Sequence, residues 1–275
     1  MQKKRSLFLA GALALFASSS YAHFQMLYTA DAALEKGQAT SWALIFSHPF
    51  SNGYPMNMGA PEEFYVVHDR GEDIPNKTTD LTEHLESVSW TNSDDHSGTA
   101  FVADLPKSVT RSIGDYSFVL TPEPYYEAEE DKYIQQITKT VINVGGVPGA
   151  WDQPMGLDVE IVPLDKPYAN WVGGIFRAVV LADGKPVPHA EIEIEYLNHD
   201  PMLDKASFDP VGKVDPPQDS FVTMSIRANA QGEVMIGLPK AGWWGICALD
   251  LDDGQLYKDK DLSVDAVLWV RAYDI

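Results

Sequence analysis

Along this chain, apolar residues come in short runs punctuated by Gly, Pro, Asn and Asp, and a helical period is nearly absent. That pattern belongs to a β-sandwich or barrel. In the clearest run, Ala190, Ile192, Ile194 and Tyr196 alternate with Glu191, Glu193 and Glu195. Strict alternation predicts a strand with one buried face and one wet face. Before it, Ile175 to Leu181 reads as a strand and Asp183-Gly184 as a turn. After it, Phe221 to Arg227, Glu233 to Leu238, Trp243 to Leu249 and Val267 to Tyr273 complete a set that fits the strand count of an immunoglobulin-like sandwich.

The first half has the same grammar. Phe24 to Tyr28, Ala39 to Phe46, Glu63 to His68, Thr99 to Leu105, Tyr116 to Leu120 and Ile134 to Val144 all read as strands, and Leu81 to Val88 as a short helix or turn. Gly145-Gly146-Val147-Pro148-Gly149 and the Pro- and Gly-bearing stretch after it mark a boundary. Residues 198–219, with four Pro and five Asp, read as a long surface loop. The expected architecture is all-β: two immunoglobulin-like sandwich domains in tandem, 23–150 and 168–275, joined by a linker over 151–167.

The first 22 residues stand apart. Lys3, Lys4 and Arg5 precede a short apolar run from Ser6 to Ala17, and Ser20-Tyr21-Ala22 offers small residues at the −3 and −1 positions. This is the pattern of a cleaved secretory signal peptide, and the run is too short to span a bilayer comfortably. Cleavage after Ala22 makes His23 the first residue of a protein working outside the cytoplasm, with no stable membrane insertion of the mature chain.

Loss of the three basic residues takes the formal charge from −20 to −23. So acidic a chain argues against nucleic acid and anionic membranes and favours cations. The single cysteine, Cys247, sits in an apolar run and reads as a buried small hydrophobe. The elbow of serine hydrolases, the zinc-protease helix motif, phosphate loops and dinucleotide fingerprints are all missing, so no enzyme is expected.

Candidate chemistry gathers around the new terminus. A mature His23 presents a free α-amine beside its own imidazole, and an amine with a pKa of about 8 yields to a metal ion near neutrality. His48 follows a strand in Phe46-Ser47-His48-Pro49-Phe50, where a loop presents it, and His68 follows Phe64 to Val67. Glu127, Glu129, Glu130 and Asp131 put four carboxylates among five residues, a composition suited to divalent cations and equally to a solvated acidic loop. Met26, Met56 and Met58 read as core.

Three stretches carry a family resemblance: Asp183 to Tyr196, Ala228-Asn229-Ala230-Gln231-Gly232, and Leu238-Pro239-Lys240-Ala241-Gly242-Trp243-Trp244-Gly245. With Ala22-His23-Phe24-Gln25-Met26-Leu27, His48-Pro49-Phe50, Pro124-Tyr125-Tyr126-Glu127 and Thr138-Lys139, the mature chain resembles the NikK-like periplasmic component of cobalt/nickel transport systems. The resemblance implies a periplasmic protein that binds nickel or cobalt and hands it to an inner-membrane permease, or takes it from an outer-membrane receptor. It maps ligands onto His23 and His48, with Glu127 and Glu130 beside them. One departure stands out. Gln136 occupies the place, two residues before Thr138-Lys139, where that family's pattern often has His, which puts the strength and metal preference of the site in question.

An amine, imidazole and carboxylate set suits Ni, Co, Cu or Zn, with copper(II) bound most tightly at equal availability. Nickel or cobalt is therefore a preference drawn from the resemblance alone. Two other readings compete: a structural or adhesive immunoglobulin-like module with no metal role, and a copper oxidase in which His48 or His68 faces His23 to complete a histidine brace.

Overall fold

The computed structural model describes residues 23–69, 75–252 and 254–275, so the expected signal segment over 1–22 lies outside the described residues. The all-β expectation holds. Among the described residues the only helices are two single 3-10 turns, Thr82–His84 and Asp219–Phe221.

The main strands of the first half are β1 (Phe24–Thr29), β2 (Thr40–Ser47), β3 (Glu63–Asp69), β4 (Lys77–Asp80), β5 (Leu85–Thr91), β6 (Ser97–Leu105), β7 (Gly114–Thr121), β8 (Tyr125–Glu127) and β9 (Lys132–Val144). Those of the second half are β10 (Val159–Pro163), β11 (Ile175–Ala182), β12 (Glu191–Tyr196), β13 (Met224–Arg227), β14 (Glu233–Gly237), β15 (Gly242–Ala248) and β16 (Lys260–Tyr273). The segment expected to begin as a helix or turn makes one 3-10 turn and then becomes β5. The stretch expected as a linker contains β10, whose five residues are all buried.

The halves are not separate sheets. One sheet runs through both, in the order β13-β12-β15-β16-β9-β7-β3-β4, and β16 pairs with β9 in parallel, from Tyr133 opposite Leu262 to Thr140 opposite Trp269. A sheet on one side holds β1-β2-β6-β5 and is extended by Ser207–Phe208 and Pro201–Met202 from the second half. On the other side β10 and β14 flank β11.

The central sheet thus carries a core on each face. Successive residues of a strand point to opposite faces, and here both faces are dry. Trp243 and Cys247 of β15, with Val267 and Trp269 of β16, join Phe24, Trp42, Trp90 and Phe118 in one core. Trp244, Ile246, Leu268 and Val270 join Phe176, Ile192 and Ile236 in the other, together with Phe50, Val119 and Ile137 from the first half. Cover on both faces makes burial continuous rather than alternating along β9 from Gln136 to Val144 and along β16 from Leu262 to Val270. Each large apolar side chain so buried contributes about 1.5–3 kcal/mol, so this shared layer ties the halves together. Trp269 shows the tie at one residue: its ring meets Phe24 edge-on at 6.1 Å and its indole N–H donates to the Gln25 carbonyl at 2.9 Å. Gly245 makes room for that pair, because a β-carbon there would lie 2.9 Å from both rings.

The alternation of β12 gave one expectation that the fold corrects. Ile192 and Ile194 are buried as predicted, but the acidic face is wet only at Glu191: Glu193 is half-buried and Glu195 is 0% exposed. The loop after β2 covers it, and that loop carries His48. Residues 198–219 form a surface loop only in their later part: Asn198 and Phe208 are buried and Ser207 pairs with Thr91 of the first half, while residues 215–219 are exposed.

Candidate functional site

His23 opens β1 at the edge of the first sheet, and His48 follows the last residue of β2. Antiparallel pairing sets Phe24 opposite Ser47, so the residue before one and the residue after the other emerge side by side. Their rings meet with centroids 4.5 Å apart and planes inclined by 38°. Phe46 (5.5 Å) and Tyr125 (6.4 Å) form an aromatic wall around the His23 ring.

The acidic segment reaches the same place. Short strand β8 pairs with the start of β9, with Glu127 opposite Lys132, and this turns Glu127 inward. Its Oε2 lies 3.7 Å from His23 Nδ1, while its Oε1 accepts the Glu129 backbone N–H at 3.1 Å. Glu130 faces out instead and pairs with Lys132 at 2.6 Å, although its charge is felt at His23. Asp131 is bound by Tyr126 and Lys260. Of the four candidates, the fold therefore gathers His23, His48 and Glu127 and leaves Glu130 at the rim.

Burial lowers the pKa of His23, and the nearby Glu130 charge offsets this only in part. A neutral imidazole keeps its lone pair for a metal ion. The separation of His23 Nδ1 and Glu127 Oε2 also suits a shared ion. With bonds of about 2.1 Å, two donors on one ion lie roughly 3.0 Å apart when cis and 4.2 Å apart when trans. As the side chains stand, no three His, Cys, Asp or Glu among the described residues are grouped to hold a metal ion. To share one ion, His23, His48 and Glu127 therefore need a shift of their side chains or a donor of another kind.

Gln136 fixes the backbone of the terminus from beneath. Its Oε1 accepts the Gln25 N–H at 2.7 Å and its amide nitrogen donates to the His23 carbonyl at 2.8 Å. The same nitrogen lies 3.2 Å from Asp265 Oδ2 and 3.5 Å from Cys247 Sγ. Asp265 is fully enclosed, its carboxyl pushed up by desolvation and held by the Asp250 N–H and the Ser263 hydroxyl. A primary amide both donates and accepts, and so serves two backbone groups at once. Gln136 stood out in the sequence only as a departure from a pattern; its double bond to the terminus is a product of the fold. Cys247 is buried with its thiol pushed well up, as its apolar run predicts.

His68 is elsewhere. It lies flat on Tyr116, 4.0 Å away with planes 3° apart, and its Nε2 is 3.0 Å from the Ile113 carbonyl. It does not face His23. Met26, Met56 and Met58 are core residues, and Met58 Sδ accepts from the Gln25 side chain.

A family model described as "Domain of unknown function (DUF4198)" matches residues 20–252. A search of the curated proteins finds no match. Among solved structures, the chain is similar to the D0-D1 domain of intimin, at 10% identity over 88% of this chain and 96% of that one, with a TM-score of 0.21. It is similar also to the adhesin InvE of Yersinia pseudotuberculosis, at 12% identity over 90% of this chain and 58% of that one, with a TM-score of 0.23. At such identities and scores these likenesses carry no argument about function.

Proposed function

The chain belongs to the DUF4198 family, a domain of unknown function, and from that premise we propose that its exported form captures a divalent transition metal ion and delivers it to a membrane uptake system. The observation that carries this reading is the facing pair His23 and His48 with the Glu127 carboxylate beside them. In this reading the ion is cargo, not a folding element, since both cores are built of apolar side chains. In the proposed state, cleavage after Ala22 adds the α-amine of His23 to its Nδ1 as a chelate, and His48 and Glu127 complete the set. Four donors of mixed nitrogen and oxygen type suit nickel, cobalt, copper or zinc. The NikK-like resemblance favours nickel or cobalt as cargo and the periplasm as the place. No described helix is long and apolar enough to cross a membrane.

The test is a calorimetric titration of protein beginning at His23 with nickel(II), cobalt(II) and copper(II), beside a variant carrying one extra residue before His23. Near-stoichiometric binding that the extension abolishes is the expected result. Unchanged affinity in the extended protein overturns the reading, because the amine would then play no part.

A second reading draws on the same geometry. Two imidazoles and a terminal amine also make a copper brace, and it is His48, not His68, that stands opposite His23. Copper with a reductant then yields peroxide or oxidised substrate; a redox-silent copper complex leaves the carrier reading alone. If no metal binds at all, the structural or adhesive module remains.

A further inference from the structure

The loop that carries His48 is held by the second half of the chain. Glu195 Oε2 accepts the Phe50 N–H at 3.2 Å, and its other oxygen is bonded by the Thr223 hydroxyl. The Asn198 backbone N–H donates to the Pro49 carbonyl at 3.1 Å, and its side-chain nitrogen donates to the Phe50 carbonyl at 3.1 Å. Asn198 is itself locked in place: its amide oxygen accepts the Val214 N–H at 2.8 Å and its amide nitrogen reaches the Val214 carbonyl at 3.0 Å. Both residues are buried, at 0% and 3% exposure. Phe50 meanwhile inserts its ring into the second core. On the other side of the loop, a β-carbon on Gly53 would fall 2.6–2.9 Å from the His48 side chain, so the imidazole is backed against that glycine.

We propose that Glu195 and Asn198 are positioning residues for His48, through which the second half of the protein sets the metal affinity of a site that lies wholly in the first. A buried carboxyl group held by one loop N–H and one hydroxyl is a costly way to fasten a loop unless the loop's placement matters. Outer partners of this kind orient a ligand before the ion arrives and change affinity without touching it. The Asn198 contact also ties His48 to the segment over 198–214, which gives a delivery partner acting on that surface a mechanical route to the ligand. This inference rests on the metal-binding reading above.

The experiment uses the whole mature chain beginning at His23, with nickel(II) as probe. Asn198→Ala and Glu195→Ala are each expected to weaken nickel binding by roughly ten- to hundredfold. Glu195→Gln keeps an acceptor for the Phe50 N–H and restores binding to near the parent level. In a His48→Ala background, Asn198→Ala changes nickel affinity no further. An equal loss in that background, or unchanged affinity in a folded Asn198→Ala protein, overturns the proposal. A second measurement needs no metal. The ring signal of His48 in carbon-edited NMR shifts or broadens in Asn198→Ala, while that of His68, stacked on Tyr116, stays put. If the parent binds no nickel, the metal reading fails by itself; an unmoved His48 signal then overturns the positioning role as well, and a moved one upholds it.

Discussion

Strand β9 runs between two histidine environments that differ in almost every respect. Near its start, Gln136 supports a site where the His23 and His48 rings are tilted together beside a carboxylate. At its end, Val144 pairs with Gly114, next to the buried ring of His68 lying parallel to Tyr116. The His68 nitrogen is spent on a backbone carbonyl, and its ring is spent on packing. The His23 and His48 rings have aromatic and acidic neighbours, and a half-buried opening to solvent at His23. What separates a structural imidazole from a candidate ligand is thus neither residue type nor burial alone. It is what the ring is packed beside: a second imidazole and a carboxylate at His23, a tyrosine ring and a backbone carbonyl at His68.

The comparison can be broken by exchanging the expected losses. His48→Ala should cost at least roughly a hundredfold in nickel affinity, more than an outer partner costs, and leave thermal unfolding nearly unchanged. His68→Ala should do the reverse: about 2–3 kcal/mol of stability lost in denaturant titration, through a cavity beneath Tyr116 and an orphaned Ile113 carbonyl, with nickel affinity intact. If both variants lost only stability, the two environments would be alike and the metal reading would lose its basis. Glu127→Gln sharpens the picture at the next level, with an expected loss of about tenfold in nickel affinity by calorimetry, because a neutral amide oxygen is the poorer donor.

The smallest expected effect concerns pH. Burial pushes Glu195 up to about 8 and Glu193 up to about 7, from an ordinary 4.5. The folded state therefore holds protons that the unfolded chain releases. The resulting stability is full below pH 4.5 and is lost as pH rises, through about 7 for Glu193 and about 8 for Glu195. Urea unfolding at pH 6 and pH 8.5 should show the parent weaker at the higher pH, and Glu195→Gln less sensitive between the two. A Glu195→Gln protein with the parent's full pH dependence would assign the effect to Glu193 or to Asp265, whose carboxyl burial also raises.

Much of this was legible from local pattern. Short apolar runs between Gly, Pro, Asn and Asp marked most of the long strands, and strict period-two alternation marked β12, because a strand points successive side chains to opposite faces. The apolar run around Cys247 foretold its burial. The expectation that His23, His48 and the acidic segment share one site rested on a resemblance; the fold places the His48 ring and the Glu127 carboxylate beside the His23 ring and leaves Glu130 at the rim. Strand β5 escaped notice because its residues Leu85 to Thr91 alternate weakly and only Trp90 is buried in full. Strand β10 escaped because Pro and Gly around it read as punctuation.

The sequence alone determined an all-β chain with a dry, cysteine-poor interior and a strong negative charge, since these follow from composition and from neighbours along the chain. It could not determine that β9 and β16 would lie side by side in parallel, which gives the central sheet two cores and fuses the halves. That pairing joins residues more than a hundred positions apart, and nothing local encodes it. The same long reach brings Glu195 and Asn198 under the His48 loop, so one position that alternation marked as wet, Glu195, became a buried support.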